Sequence, residues 1–423
     1  MRSGTVLLPE AEARLESIGR ADVMVGIPSF NNARTIGHVV RAVGAGLVKY
    51  FPGLTAVIVN SDGGSRDGTP DIVQGVGLDV GRGLLIASPD RLPVRLVTGY
   101  KGIPGKGSAF RTMFEIAERL GARACAVVDA DLRSITPEWV QLLLAPVLHE
   151  GFDYVCPLYS RHKYDGTITN SIVYPLVRSC FGRRVRQPIG GDFGFSGRLA
   201  AHYRTQDVWE SDVARYGIDI WMTTTALAGD FKVCQAYLGA KIHDAKDPGS
   251  DLTAMLVQVA GALFGQIEAH DKRCLEQDGS EHVPEFGFRF DVGLEPVPVN
   301  LRRMVDTFER GLREFDSIYA GFLHPETKAG LTALAGQSPE EFTMPPDLWV
   351  RTVYDFVAAT HHRTLPVEHV LRTLTPLYLG RTAAWVVQAS PFGAVEVEAE
   401  IDALSARFEA CKPYLRERWR ERK

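Results

Sequence analysis

Asp129-Ala130-Asp131 places two carboxylates on either side of a small residue, directly after the apolar run 124–128. At the end of a strand, such a pair can hold a divalent cation and a ribose together, the cation neutralising charge as a diphosphate departs. Alone the pattern is weak, since two solvated acids in a loop explain it equally well. A second loop, Gly102-Ile103-Pro104-Gly105-Lys106-Gly107, sets glycines around a lysine just before a helical run. Backbone could approach a phosphate there while the ammonium meets its charge. The spacing is not that of a Walker A loop. A third loop, residues 60–69, is rich in Asn, Ser, Asp and Gly and is turn-forming in its own right. Turn chemistry does not explain why all three follow successive strands.

The elements around these loops form a repeating pattern. Residues 21–27, 54–59, 94–97 and 124–128 are short apolar runs that read as strands, with helical periodicity over 33–45 and 108–120. Alternation of this kind predicts a mostly parallel sheet with helices on both faces, and ligands at the C-terminal ends of its strands. Further on, 154–158 and 232–238 are strand-like. From about residue 252 the chain turns helical, with amphipathic runs at 301–319, 346–360, 367–379 and 395–419. The Pro-containing stretch 283–298 reads as a linker, which gives a catalytic domain over 1–282 and a helical region over 283–423, covering the site or pairing subunits.

Composition narrows the class. The chain has 423 residues, 45% hydrophobic and 23% charged, with a net charge of −4, so nothing favours a nucleic-acid partner. No apolar run approaches membrane-spanning length, and residues 1–20 lack the apolar core of a signal peptide. The six scattered cysteines (Cys125, Cys156, Cys180, Cys234, Cys274 and Cys411) suggest reduced core thiols, hence a cytoplasmic protein, and the lack of an apolar span argues against a membrane partner.

Taken in order, Ile27-Pro28-Ser29-Phe30-Asn31-Asn32, Ser61-Asp62, Asp67-Gly68-Thr69, Gly105-Lys106-Gly107 and Asp129-Ala130-Asp131 resemble the GT-A fold glycosyltransferases. Gly166-Thr167-Ile168-Thr169, Gln187-Pro188-Ile189-Gly190-Gly191-Asp192, Tyr216-Gly217-Ile218-Asp219 and Lys241-Ile242-His243-Asp244 are similar to the retaining branch that makes glycerate glycosides. That branch includes the glucosyl-3-phosphoglycerate, glucosylglycerate and mannosylglycerate synthases. The resemblance covers roughly residues 22–251. It implies an α/β fold of GT-A type, Rossmann-like, with a C-terminal helical region. The implied donor is a nucleotide-sugar: UDP-glucose foremost, with GDP-mannose or GDP-glucose as options. The implied acceptor is a small acid, the product a glucosylglycerate-type compatible solute and the assembly a homodimer.

Carried over residue by residue, Asp131 and His243 become ligands of Mg²⁺ or Mn²⁺. Asp129 meets the ribose, Lys106 the diphosphate, and Pro28, Ser29, Asn31, Ser61 and Asp62 serve the donor. Gly166, Thr167, Thr169, Asn170 and Lys241 take the acceptor. Asp219 lies near the reacting hydroxyl, with Gly190 and Gly191 as the bend beneath it. A lone histidine is usually structural, and Asp219 could instead cap the helix that follows it.

Two departures bear on this expectation. Thr167 stands where phosphate-using relatives carry an arginine, which removes a bidentate phosphate contact and favours D-glycerate over 3-phosphoglycerate. Arg161, His162, Lys163 and Arg178 lie close in sequence and could substitute. Asn32 stands where an acid is common. The rival readings are a sugar-nucleotide pyrophosphorylase and a non-catalytic nucleotide-binding protein.

Overall fold

The computed structural model describes residues 5–77, 92–242, 252–290 and 292–421. It forms two compact units. One comprises Met1–Ser160, Gln187–Asp244 and Val283–Leu294; the other comprises Arg161–Arg186, Ala245–His282 and Glu295–Lys423.

β-Branched and small apolar residues build the strands of the first unit: β1 (Val23–Ser29), β2 (Ala56–Asp62), β3 (Val94–Thr98), β4 (Ala124–Val127) and β5 (Tyr154–Ser160). Next in the chain, β6 (Arg183–Arg184) pairs with β9 (Glu281–His282) inside the second unit. The first unit's sheet is completed by β7 (Phe193–Ser196), β8 (Val233–Ala240) and β10 (Glu285–Phe286), in the order β10-β8-β5-β7-β4-β1-β2-β3. Every pairing is parallel except those of β7, which runs antiparallel between β4 and β5.

Side chains alternate across β1. Val23, Val25 and Ile27 join a core with Val39, Val43 and Leu47 of the helix Ile36–Tyr50 and with Leu143 and Leu144 of Pro137–His149. On the other face, Gly26 lies against Met113 of the helix Lys106–Leu120, where a Cβ would collide with the thioether. That helix therefore lies close on the sheet and delivers its first residue, Lys106, to the strand ends.

The fold class is the expected one, with three local differences. Phe193–Ser196 is a strand too short and too Gly-interrupted for its pattern to show. The stretch read as a linker contains β10, an edge strand on β8. The expected single boundary at residue 283 is replaced by interleaving, because Arg161–Arg186 and Ala245–His282 group with the helices.

Physical contacts explain that grouping. Trp349 Nε1 donates to Ser171 O at 2.8 Å. Arg178, almost fully buried, donates to Glu409 at 3.0 Å and to Asp402 at 3.0 Å. Tyr174 packs with Trp385, Val397 and Ile401. The helical runs also end where local chemistry dictates. Residues 301–319 break at Phe315 into Leu301–Glu314 and Asp316–Phe322, and 395–419 breaks at Cys411 before Pro413. The run begun at Val367 continues to Ala389.

Helices Leu301–Glu314 and Val367–Ala389 touch through glycine: a Cβ on Gly380 would enter the ring of Phe308. In an exposed helix Gly→Ala stabilises by up to about 1 kcal/mol. Here overpacking reverses the sign, and Gly380→Ala should cost about 1–3 kcal/mol, read as a lower urea midpoint at unchanged slope. A raised midpoint would contradict this packing.

Candidate active site

The C-terminal ends of β1 and β2 form a tightly cross-bonded floor. Asp62 Oδ1 accepts the backbone N–H groups of Gly64 at 2.9 Å and Ser65 at 2.7 Å. Its Oδ2 accepts the hydroxyls of Ser29 and Ser65, both at 2.7 Å. Asn31, in the left-handed region at φ 56°, donates its N–H to Ser65 Oγ at 2.7 Å, and its Oδ1 accepts Arg66 N at 3.0 Å. Asn tolerates that conformation better than most residues. Ser29 and Asp62 thus shape the loop that presents the exposed Phe30 and Asn31 and the half-buried Pro28. Ser61 is fully buried, and among the described residues its Oγ has no hydrogen-bond partner.

Charge gathers at the ends of β4 and β8. Lys106 Nζ lies 2.8 Å from Asp129 Oδ1 and 3.2 and 3.3 Å from the two oxygens of Asp219, aligned for a hydrogen bond only with Oδ2. Lys241 Nζ donates to Asp129 Oδ2 at 2.7 Å, Asp192 Oδ2 at 2.8 Å and Gly190 O at 2.7 Å. Asp192 Oδ1 accepts Asp129 N at 2.8 Å, and Tyr159 OH donates to Asp192 Oδ2. Burial alone would raise the Asp129 carboxyl, but Lys106 and Lys241 outweigh it and hold the group well below the usual carboxylate range. Burial alone would likewise lower Lys106, but Asp129 and Asp219 hold its ammonium far above its ordinary value. Asp219 goes the other way. Burial, with the charge of Asp129 behind it, raises its carboxyl despite Lys106.

Glycines make this cluster possible. Gly191, at φ 90°, leaves the space that Asp129 Oδ2 and Lys241 Nζ occupy; a Cβ would displace both. A Cβ on Gly190 would likewise strike the ring of Pro157. The glycines around Lys106 have a role the sequence did not indicate. Cβ atoms on Gly105 and Gly107 would strike the backbone oxygens of Ala214 and Val213, so the space beside them is filled by the chain itself.

Asp219 does not cap its helix, Ile218–Ala228: the N-cap residue is Gly217, with no side-chain cap bond, and the carboxyl turns to Lys106. Lys241, expected to serve the acceptor, has a side chain only 4% exposed and ends inside the carboxylate cluster. Asp131 is half-buried just after β4. His243 lies outside the described residues. Ile242, which precedes it, is held beside the Asp131 turn, since Arg133 N donates to Ile242 O and Ile242 N donates to Ser134 Oγ, both at 2.9 Å. Among the described residues no group of three or more His, Cys, Asp or Glu could hold a metal ion.

Gly166, Thr167, Thr169 and Asn170 belong to the second unit. Gly166 has φ 65°, Thr167 and Thr169 are buried, and the Thr167 hydroxyl is bonded to Tyr378 OH. Asn170 Oδ1 accepts Arg186 Nη1 at 2.9 Å. Sequence reasoning left Asp192 and Tyr159 without roles, although Asp192 closes a motif that signalled the bend.

Residues 24–193 match glycosyl transferase family 2. The chain carries a glycosyltransferase domain. The enzyme class is thereby glycosyl transfer and not nucleotidyl transfer, and the fold is GT-A. Crystal structures of glucosyl-3-phosphoglycerate synthase from Mycobacterium tuberculosis are similar in fold. The complex with Mn²⁺, UDP and phosphoglyceric acid is 24% identical at TM-score 0.45, over 60% of this chain and 81% of that one. The complex with Mn²⁺, UDP and glucosyl-3-phosphoglycerate is 23% identical at TM-score 0.45, over 68% and 92%. A further crystal structure, of a mycobacterial protein, is 21% identical at TM-score 0.41, over 66% and 81%. Likeness this distant says nothing about substrate. No curated protein sequence matches the chain. Among the described residues, no helix of this glycosyltransferase is long and apolar enough to cross a membrane.

Lys241→Met tests the cluster directly. It strands Asp129 and Asp192 without their shared cation, a defect that costs about 3–5 kcal/mol for a buried pair. Chemical denaturation should register that loss; a change under about 1 kcal/mol would mean the carboxylates do not depend on Lys241.

Proposed function

We propose that the protein transfers a hexose from a nucleotide-sugar to the hydroxyl of a small acid, D-glycerate by preference, with retention at the anomeric carbon. The observation that carries this reading is Lys106 held between Asp129 and Asp219 at the strand ends of a glycosyltransferase domain. A lysine leading a 15-residue helix adds its ammonium to the positive end of the helix dipole, which suits a leaving diphosphate. Pro28 and Asn31 would border the nucleoside, with Ser29, Ser61 and Asp62 forming the wall behind it and Asp129 reaching the ribose. A cytoplasmic setting agrees with six free thiols.

Asp131 and His243 would hold Mg²⁺ or Mn²⁺. Carboxylate oxygen is the hard donor these ions prefer, and Ile242, which precedes His243 in the sequence, is bonded to the turn after Asp131. Bound there, the ion would supply charge neutralisation at the diphosphate. Asp219, whose carboxyl is raised by burial, is suited to accept a hydrogen bond from the attacking hydroxyl and orient it. Retention and the UDP-glucose donor rest on the resemblance of the motifs. The preference for glycerate rests on Thr167 and on the engagement of the neighbouring cations. Lys163 Nζ donates to the carbonyls of Ala389, Ser390 and Phe392 at 2.9, 2.7 and 3.2 Å. Arg161 pairs with Asp165 at 3.1 Å, and Arg178 with Glu409 and Asp402.

The test is a matrix of UDP-glucose, GDP-glucose and GDP-mannose against D-glycerate and 3-phosphoglycerate with Mn²⁺, read by mass spectrometry and by anomeric coupling in NMR. UDP-glucose with D-glycerate should give an α-glucoside, and Asp131→Ala should slow it by about 10²–10³-fold, the usual loss when charge stabilisation at the leaving group is removed. Transfer to neither acid would reject the reading. A higher kcat/KM for 3-phosphoglycerate would reject the glycerate preference alone.

A further inference from the structure

Thr35 belongs to the first unit and is the N-cap residue of the helix Ile36–Tyr50. A threonine in that position normally offers its hydroxyl oxygen to a backbone N–H of the helix's first turn. Thr35 makes no such bond. Backbone serves the first turn instead: Ile36 N donates to Asn32 O at 3.0 Å, and His38 N and Val39 N donate to Thr35 O at 2.9 and 3.2 Å. The hydroxyl is engaged elsewhere. Its Oγ1 donates to Ala130 O at 2.8 Å, across 95 residues of sequence. A contact of 3.4 Å with Asn32 O is the weaker use of the same proton.

Ala130 is the middle residue of Asp129-Ala130-Asp131 and is only 4% exposed, and a buried carbonyl needs a partner. The peptide group that carries this carbonyl leads directly into Asp131. The peptide group that leads into Asp129 is held as well, since Asp192 Oδ1 accepts Asp129 N at 2.8 Å. That bond continues, with a side chain, the antiparallel ladder of β4 and β7, whose last backbone pair is Val127 with Phe193. Each carboxylate of the motif therefore follows a peptide plane that a distant side chain holds. Because the plane is rigid, holding one of its atoms narrows the directions open to the carboxylate after it. Asp192 also serves Lys241, but Thr35 has no part in the charge cluster, so its hydroxyl can be removed without disturbing an ion pair.

We propose that Thr35 is a positioning residue for the Asp129–Asp131 turn: its hydroxyl fixes the peptide ahead of Asp131, and with it the aim of that carboxylate, instead of capping the helix that it precedes. The use assigned to that aim, a divalent cation on a nucleoside diphosphate, rests on the function proposed above. The hold on the turn does not.

Hydrogen exchange of the full chain, read by mass spectrometry, tests the hold without any ligand. Thr35→Val keeps the shape of the side chain and removes the O–H. Peptides covering 128–133 should exchange about three- to tenfold faster, the scale of one hydrogen bond, while those covering 36–45 stay unchanged. Thr35→Ser, which keeps the hydroxyl, should restore the protection. Any result in which 128–133 keeps its protection in Thr35→Val overturns the proposal, and so does loosening shared equally with 36–45, the mark of a helix cap. Should Thr35→Val fail to fold, Thr35→Ala is read in the same way. Calorimetric titration of UDP in Mn²⁺ then reads the consequence. Affinity should fall by a similar factor in Thr35→Val and recover in Thr35→Ser, because the ligand must supply the order that the hydroxyl no longer does. Unchanged affinity beside faster exchange overturns the positioning role. If the unaltered chain binds no UDP in Mn²⁺, the donor reading of this edge fails, and the exchange result alone decides the hold.

Discussion

Two ammonium groups hold three carboxylates at the ends of β4 and β8, and the rest of the candidate site is arranged around that balance. Lys241 bridges Asp129 and Asp192, while Lys106 bridges Asp129 and Asp219. With one cation fewer than carboxylates, the charge is not fully matched. The deficit falls on Asp219, which is buried and repelled by Asp129, so its carboxyl rises while that of Asp129 falls. Three similar side chains thereby acquire different chemistry from position alone. The geometry tolerates no side chain at Gly191, whose missing Cβ is the space for the Asp129–Lys241 pair.

The sheet supplies the rigidity this needs. Helix Lys106–Leu120 lies on the face of β1 because Gly26 has no side chain, and this places Lys106 at the strand ends. At the other end of the edge, Asp62 is used up on backbone N–H groups and hydroxyls, which orders the loop of Asn31. The loop proposed to serve the donor is thus preformed by bonds within the protein, the arrangement expected where charge must be stabilised without reorganisation. The turn with Gly166 and Thr167 is fixed separately, by helices of the second unit.

Strand runs and the polar residues at their ends were legible because period and turn chemistry are local. The four early strands begin within two residues of where their apolar runs do. Phe193–Ser196 and Glu285–Phe286 were not legible, since each is a few residues long and exists through its neighbours in the sheet. The motif residues stand out in the sequence, but their partners do not. Nothing local to Lys241 says that its ammonium will end against Asp129, 112 residues away. The glycines beside Lys106 read as room for phosphate, whereas the room is taken by the backbone of Val213 and Ala214.

The Lys106–Asp129–Asp219 edge is proposed as a site for a nucleoside diphosphate completed by a divalent cation. Calorimetric titration of UDP into the full chain tests it most directly, with Mn²⁺, with EDTA, and with Lys106→Ala in Mn²⁺. The account predicts binding in Mn²⁺, little in EDTA, and an affinity about ten- to a hundredfold weaker in Lys106→Ala, the scale of one charged hydrogen bond. Binding that is equal in EDTA, or undiminished without the lysine, would contradict it.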